Sequence, residues 1–283
     1  ILGPDHPHTF TTRHQLAHWR GEAGDAAGAA TALAGLIEDR LRILGPDHPH
    51  TFTTRHQLAH WRGEAGDAAG AATAFAELLE DRLRVLGPDH PDTLSTRHNL
   101  ALWRGRAGDA AGAAAAYAEV LEDRLRVLGP DHPHTLSTRN NLAWWRGAAG
   151  DAAGAATALA ELLEDRLRVL GPDHPRTFTT RHNLARWRGE AGDAAGATTA
   201  LAELLEDRLR VLGPDHPHTL STRNHAAYWR GQAGDAAGAA AAFTEMLDDY
   251  LRVLGPDHPE TLVTRRHVAY WEQQQDKGTG APD

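Results

Sequence analysis

The heptapeptide GPDHPHT, from Gly3 to Thr9, contains residue types that can perform acid–base or metal chemistry. Asp5, His6 and His8 bring one carboxyl group and two imidazoles close together in the chain. Such groups bind divalent metals and move protons in catalysis. The heptapeptide therefore raises the hypothesis of an active site, and near-copies of it along the chain allow that hypothesis to be tested.

A second candidate is the pair His14 and His18, whose spacing of four residues could place two zinc ligands on one helical face. Only the first two copies of this segment keep both histidines. The equivalents of His14 are His56, His98, Asn140, His182, Asn224 and Arg266, and those of His18 are His60, Leu102, Trp144, Arg186, Tyr228 and Tyr270. A ligand cannot become arginine in one copy and serve the same metal. We therefore predict no metal, no cofactor and no catalytic residue.

Composition excludes several other classes of function. The formal charge of −9 is spread without basic blocks, which argues against nucleic-acid binding. Lys277 is the only lysine and no glycine run precedes it, so a P-loop is absent. There is no cysteine, and the apolar runs are far too short to span a membrane. We expect a cytoplasmic protein with no nucleic-acid or membrane partner.

The elements that must position these residues come from one unit repeated every 42 residues. Ordering a unit costs about 1–2 kcal/mol per residue, whereas a buried large apolar side chain contributes about 2 kcal/mol. A single unit therefore needs burial against its neighbours, as in a solenoid. We predict one solenoid over 1–283, with repeats 1–42, 43–84, 85–126, 127–168, 169–210 and 211–252, a terminal half-repeat 253–275 and a polar tail 276–283.

Each unit is predicted to contain two helices. In the first unit, helix A runs from Pro7 to about Glu22 and helix B covers residues 26–44 after an Asp25 N-cap. Apolar residues recur every three or four positions and predict one buried stripe per helix. The predicted stripes consist of Phe10, Leu16, Ala17 and Trp19 in helix A, and Ala26, Ala29, Leu33, Leu36, Ile37, Leu41 and Leu44 in helix B.

The constant part of the heptapeptide is what a joint between helices requires. Gly3, Pro4, Asp5, His6 and Pro7 recur in all seven copies, whereas His8 is replaced by Asp, Arg and Glu at positions 92, 176 and 260. Glycine ends one helix and proline starts the next. We therefore predict a hinge with His6 as the N-cap of helix A. The first unit begins within such a linker and shows no polar cap, so we expect the chain to be a fragment.

The units resemble tetratricopeptide repeats. Leu16–Ala17, followed by Ala29 and an apolar or aromatic residue at Leu33, matches that family's pattern. The eight additional residues from Leu44 are similar to the kinesin-light-chain-like subgroup and to repeats at the C-terminal ends of bacterial NB-ARC-type signalling ATPases. The resemblance covers essentially the whole chain. It implies an all-α fold, a right-handed superhelical α-solenoid of stacked antiparallel helix pairs.

Charged residues depart from the family pattern. Arginine replaces bulky residues at Arg13 and Arg20, and an arginine in a core-like position needs a partner. Asp39, present in all six complete units, is the natural partner for Arg13, and we predict an Arg13–Asp39 ion pair. The alternative is that both side chains lie in solvent. The EDRLR segment that contains Asp39 is interpreted as a solvated helix face, and the in-phase tryptophans as core.

The resemblance implies that helix A lines a concave groove where ligands bind, with contacts at the positions of His14 and His18. Variation between near-copies concentrates there and includes aromatic residues and arginine, types that anchor interfaces. Neutral drift on a solvated face is the alternative. We expect a non-catalytic scaffold that binds a peptide or protein. Two further hypotheses are a sensor module of a larger signalling ATPase and a module that self-associates end to end through its uncapped N-terminal repeat.

Overall fold

The computed structural model describes Gly3 and residues 6–253 and 255–279, and within them it contains thirteen α-helices and no strand. The odd-numbered helices are the A helices: α1 (Pro7–Glu22), α3 (Pro49–Glu64), α5 (Pro91–Arg106), α7 (Pro133–Ala148), α9 (Pro175–Glu190), α11 (Pro217–Gln232) and α13 (Pro259–Thr279). The even-numbered helices are the B helices: α2 (Ala26–Leu44), α4 (Ala68–Leu86), α6 (Ala110–Leu128), α8 (Ala152–Leu170), α10 (Ala194–Leu212) and α12 (Ala236–Val253).

The joint before each A helix has the predicted cap. The His6 imidazole accepts a hydrogen bond from the His8 backbone N–H at 3.2 Å, and Pro7 occupies the first turn, which confirms the N-cap assignment. Pro4 and Asp5 lie outside the described residues. In the next joint Gly45 has φ +84°, a conformation that favours glycine, and its N–H bonds to the Leu41 carbonyl. The heptapeptide is therefore a helix stop followed by a helix start.

The turn within each repeat is equally regular. Asp25 accepts a hydrogen bond from the Gly28 backbone N–H at 2.8 Å and caps α2, as the sequence predicts. Gly24, at φ +96°, allows the chain to reverse between α1 and α2. These caps satisfy backbone groups that helix termini otherwise leave unpaired.

The chain consists of two compact units, Ile1–Ala149 with α1–α7 and Gly150–Asp283 with α8–α13. Within each unit, consecutive helices pack against each other, and A helices of successive repeats also touch. Each unit is an all-α solenoid of stacked helix pairs. The single domain over 1–283 stays a prediction. Helix α13 continues to Thr279, into the segment expected to be a polar tail.

Each core cluster combines both helices of one repeat with a tryptophan of the next. Phe52, Phe75 and Leu78 of the second repeat are fully or almost fully buried, and Trp103 of the third repeat completes their cluster. Most of the predicted stripe of the first repeat is buried or half-buried, but Leu16 and Leu41 are exposed, which corrects the prediction for them.

Tryptophans fit onto glycines across successive repeats. A Cβ atom added to Gly63 would lie 2.4 Å from the Trp103 ring, so only glycine permits this contact. The other pairs are Gly21 with Trp61, Gly105 with Trp145, Gly189 with Trp229, and Gly231 with Trp271. Trp19, on the first described helix, is 66% exposed and lies against none of the described glycines. Five of the in-phase tryptophans are thus buried core residues (Trp61, Trp103, Trp187, Trp229 and Trp271), whereas Trp145 is half-buried and Trp19 is exposed.

The glycine contact predicts the effect of Gly63→Ala. The added methyl group must displace the buried Trp103 ring, so we expect a destabilisation of about 1–3 kcal/mol. The control is Gly35→Ala in the middle of α2, where the added Cβ meets open space and the variant should gain about 0.5–1 kcal/mol. Urea denaturation followed by circular dichroism measures both, and equal midpoints for the two variants would contradict the interlock.

Candidate functional site

The variable positions form two rows along the A helices. The inner row consists of the His14 equivalents: His14, His56, His98 and Asn140 in the first unit, and His182, Asn224 and Arg266 in the second. The outer row consists of the His18 equivalents: His18, His60, Leu102 and Trp144 in the first unit, and Arg186, Tyr228 and Tyr270 in the second. The two rows differ in burial and in their contacts.

Inner-row side chains contact the next repeat. The Asn99 amide nitrogen lies 2.9 Å from Nε2 of His56, and that of Asn141 lies 3.2 Å from Nε2 of His98. The His98 ring also meets the Tyr117 ring edge-on at 4.9 Å. These contacts occupy ring atoms that a ligand would need. His56 and His98 therefore help to join repeats, and the part of the inner row in binding a partner stays a prediction.

Burial sets the protonation of the inner row. It lowers the pKa of His56 to about 4 and the pKa values of His98 and His182 to about 3. A second cause for His98 is the Arg124 guanidinium, whose Nη1 lies 3.1 Å from Nδ1 of the imidazole. A neighbouring cation and a dry environment both disfavour the imidazolium. These three inner-row histidines are therefore neutral near pH 7.

Outer-row side chains are all partly or fully exposed. Tyr270 is 47% exposed and Tyr228 is 36% exposed, and Tyr228 lies edge-on to the buried Trp271 of the next repeat at 6.4 Å. The Arg186 guanidinium lies over the buried Trp187 ring at 5.3 Å. Ordered side chains with a free surface lose little entropy on binding, so this row presents the more suitable contact surface.

The paired charges tie the two helices of a repeat together. Arg13 Nη1 lies 2.7 Å from Asp39 Oδ2, and both side chains are about one-third exposed. The same pair recurs as Arg55–Asp81, Arg97–Asp123, Arg181–Asp207 and Arg223–Asp249. Hydrogen bonds from Arg13, then Arg42, lower the pKa of Asp39. Arg20 is not in a core position either, since it is about half exposed and bonds to Asp25 at 2.5 Å.

A different arginine is buried, and the sequence interpretation missed it. Arg40, within the EDRLR segment assigned to a solvated face, is 4% exposed, which corrects that interpretation. Its Nη1 donates to the His50 carbonyl at 2.7 Å and to the Thr54 hydroxyl of the next A helix. The spacing of Arg40 from Leu33 and Leu36 places it on the buried stripe, and this was the available signal.

The buried arginine recurs at the joints from one B helix to the next A helix. Arg82 donates to the Asp92 carbonyl at 2.9 Å and to the Thr96 hydroxyl at 2.6 Å. Equivalent bonds are made by Arg124, Arg166 and Arg208. These acceptors are neutral, so a buried charge is held by hydrogen bonds to uncharged groups.

The described residues contain neither a cluster that could hold a metal ion nor a helix that could span a membrane. No group of three or more His, Asp or Glu side chains among them is arranged to hold a metal ion. In the same part of the chain, every helix is too short or too polar to cross a membrane.

The stacked helix pairs, with buried joints and a variable A-helix face, define a helical-repeat protein. The sequence pattern of the tetratricopeptide repeat family matches six consecutive segments, residues 9–50, 51–92, 93–134, 135–176, 177–218 and 219–260. The chain belongs to the tetratricopeptide repeat family. No curated protein sequence matches it.

Solved structures with the same fold include three of interest. One is a kinesin light chain protein of Podosopora anserina with nearly identical TPR-like repeats (TM-score 0.65, 21% identity, covering 75% of this chain and 99% of that chain). Another is a Signal Transduction ATPase with Numerous Domains from Pyrococcus horikoshii, which has a tetratricopeptide repeat sensor (TM-score 0.67, 10% identity, covering 93% of this chain and 38% of that chain). The third is a Rap protein complexed with Competence and Sporulation Factor (TM-score 0.62, 8% identity, covering 95% of this chain and 76% of that chain).

The buried histidines predict that acid destabilises the fold. The pKa of His98 is about 3 in the fold against an ordinary value of 6.5, so its stabilising contribution is complete above pH 6.5 and is lost as the pH falls below it. Between pH 6.5 and 5 the loss is about 2 kcal/mol for this group. His98→Asn, which copies Asn140, should remove that part of the pH dependence of unfolding.

Urea midpoints at pH 7 and pH 5 measure this difference. The control is the same substitution at an exposed histidine, His8→Asn. If His98→Asn and His8→Asn lose equal stability between pH 7 and pH 5, His98 is not held neutral by the fold.

Proposed function

We propose that this chain is a non-catalytic interaction module that binds a peptide or protein through the outer row of its A helices. The observation that carries the proposal is the contrast between the two rows. Inner-row His56 and His98 lie within hydrogen-bonding distance of the next repeat, whereas outer-row side chains such as Tyr228 and Arg186 lie against tryptophan and remain accessible. Side chains that keep an accessible surface are available for recognition.

The residue types of the outer row support this function. In the second unit the row consists of Arg186, Tyr228 and Tyr270, and tyrosine and arginine are enriched among residues that dominate binding energy. The solved complex of a Rap protein with Competence and Sporulation Factor shows that a chain of this fold forms a complex with such a factor. Tetratricopeptide repeat proteins are generally scaffolds and not enzymes, which agrees with this assignment.

A sensor role in a larger signalling ATPase is the second candidate. Its support is the likeness to the tetratricopeptide repeat sensor protein of Pyrococcus horikoshii, in which the match covers 93% of this chain and 38% of that one. A sensor module also needs a surface that recognises a ligand, so the outer row remains the proposed binding site. This candidate differs only in coupling that site to an ATPase domain.

Self-association is a third candidate, and one surface favours it. Leu16 and Trp19 on α1 are 69% and 66% exposed, whereas most equivalents of Trp19 are almost fully buried. The last A helix has Gln273 where other repeats have the glycine that receives tryptophan. The α1 face of one copy therefore cannot place Trp19 against a glycine on α13 of another copy. We infer that copies associate through their α1 faces.

Binding by the outer row predicts the effect of Tyr228→Ala. Peptides are selected from a displayed library against the intact chain, and their dissociation constants are measured by calorimetry. Loss of a half-exposed anchoring ring should weaken binding tenfold or more, while the urea midpoint changes little. The control is Leu209→Ala, which removes an apolar side chain of similar exposure, 40%, from a B helix and should leave binding unchanged. Equal affinity for both variants would place the site elsewhere.

Association through α1 predicts that Trp19→Ala shifts the chain toward the monomer. Sedimentation velocity over a concentration series gives the fraction of dimer for the unaltered chain and the variant. Trp19→Ala should lower the association constant at least tenfold, because it removes the largest exposed apolar side chain of the face. The matched control, Leu125→Ala on α6, removes another exposed apolar residue and should not alter it. A monomer at all concentrations would exclude self-association.

A further inference from the structure

Helix α13 exposes a face that the earlier A helices cover with a B helix. Leu262 is 40% exposed, whereas its equivalents Phe52 and Leu94 are 2% and 1% exposed. Ala269 is exposed too, whereas its equivalent Ala59 is completely buried. The difference arises because no described helix follows α13. The side chains of an A-helix core are therefore present on α13 without their covering helix.

The earlier repeats show which kind of helix covers this face. In the second repeat, Phe52 and Ala59 share one core cluster with Ala71, Phe75 and Leu78 of α4. These three α4 residues recur every three or four positions and form one apolar stripe. The face on α13 is therefore complementary to an amphipathic helix with apolar residues at the spacing found in α4.

Arg265 also lacks the partner that its equivalents have. Arg55 lies 2.6 Å from Asp81 of α4, three residues beyond the apolar stripe, and this pair recurs in other repeats. Arg265 is exposed and makes no ion pair with any residue that the structure describes. Its guanidinium is therefore available to a carboxylate on a helix packed against α13.

The usual turn to a B helix is absent after α13. In the second repeat Gly66, at φ +102°, reverses the chain, and Asp67 then caps α4. Asp276 and Lys277 occupy these two positions in the last A helix, and α13 continues past them to Thr279. The chain therefore does not fold back onto this face at the usual point, which favours a helix supplied by a partner.

Charges along α13 set the direction of that helix. Arg265 and Arg266 lie in the first half of α13, and Glu272 lies in the second half. Glu272 stands where Arg62 of the second repeat pairs with Asp67, the N-cap of α4. A helix antiparallel to α13 places its C-terminal half beside the arginines and its N-terminus beside Glu272. It should therefore carry a carboxylate in its C-terminal half and none at its N-cap.

We propose that the face of α13 formed by Leu262, Arg265 and Ala269 binds one amphipathic helix of a partner protein, antiparallel to α13, in the position of a seventh B helix. The partner helix has apolar residues at the α4 spacing, an aspartate against Arg265 and a neutral N-cap near Glu272. B helices of a second copy do not fit, because they already pack against their own A helices and have an aspartate at the N-cap. The inference does not depend on the outer row.

The test uses a synthetic peptide with the sequence of residues 67–86 and the change Asp67→Asn, which keeps a good N-cap without its charge. Fluorescence anisotropy of the labelled peptide gives its affinity for the intact chain. Arg265→Asp should weaken binding at least fivefold, because it places a carboxylate against Asp81 of the peptide. A second peptide that also carries Asp81→Arg should bind the Arg265→Asp variant at least fivefold more tightly than the unaltered chain. A misfolded variant could not show this reversal.

Two controls locate the peptide on the chain. Leu262→Ala should weaken binding of the first peptide at least fivefold, whereas Leu167→Ala removes a leucine of similar exposure, 42%, from α8 and should leave affinity unchanged. Trp19→Ala should also leave affinity unchanged, because Trp19 lies on the other exposed helix face, that of α1.

Four results would overturn the proposal. They are no binding to the unaltered chain, equal affinity of Leu262→Ala and Leu167→Ala, loss of binding in Trp19→Ala, and no preference of the Asp81→Arg peptide for the Arg265→Asp variant.

Discussion

The repeats are held in register by a buried guanidinium whose hydrogen bonds go to uncharged groups. Burying a charged group costs roughly several kcal/mol unless hydrogen bonds within the protein replace those that the group made to water. Arg82 finds those bonds at one carbonyl and one threonine hydroxyl of the next A helix. A shift of that helix by one residue would leave the charge unpaired. The joint therefore specifies one packing, and the fit of tryptophan on glycine adds a steric requirement for the same packing.

The buried joint explains why the inner and outer rows of the A helices differ in the residue types that they can accept. Residues next to the joint, such as His98 beside Arg124, are constrained by burial and charge. The outer-row residues lie one helical turn further along. Side chains such as Arg186 and Tyr228 pack against tryptophan and keep part of their surface accessible. Aromatic, aliphatic, histidine and arginine side chains can all occupy the outer row without disturbing the stack. The chain can thus vary its contact surface while it keeps its core.

Local signals in the sequence were sufficient for the helices and their caps. His6, Asp25 and Gly45 act through neighbouring backbone groups, so their roles follow from short-range rules. Contacts between repeats were harder to derive. Arg40 lies on the apolar stripe but is charged, and hydropathy alone assigns such a residue to solvent. Leu16 lies on the stripe and is exposed, whereas its equivalent Leu58 packs against the core of the repeat before it, a contact that the pattern within one helix does not contain.

The joint between α12 and α13 shows which part of the joint depends on the arginine. Tyr250 occupies the position of Arg40, Arg82 and Arg124 and is 4% exposed. Thr264 is still fully buried there, and its hydroxyl donates to the Glu260 carbonyl at 2.8 Å, as Thr96 donates to the Asp92 carbonyl. This bond lies within one A helix, so it forms with or without the guanidinium. The arginine therefore adds the bonds between repeats, and a buried aromatic ring can replace the buried charge with packing.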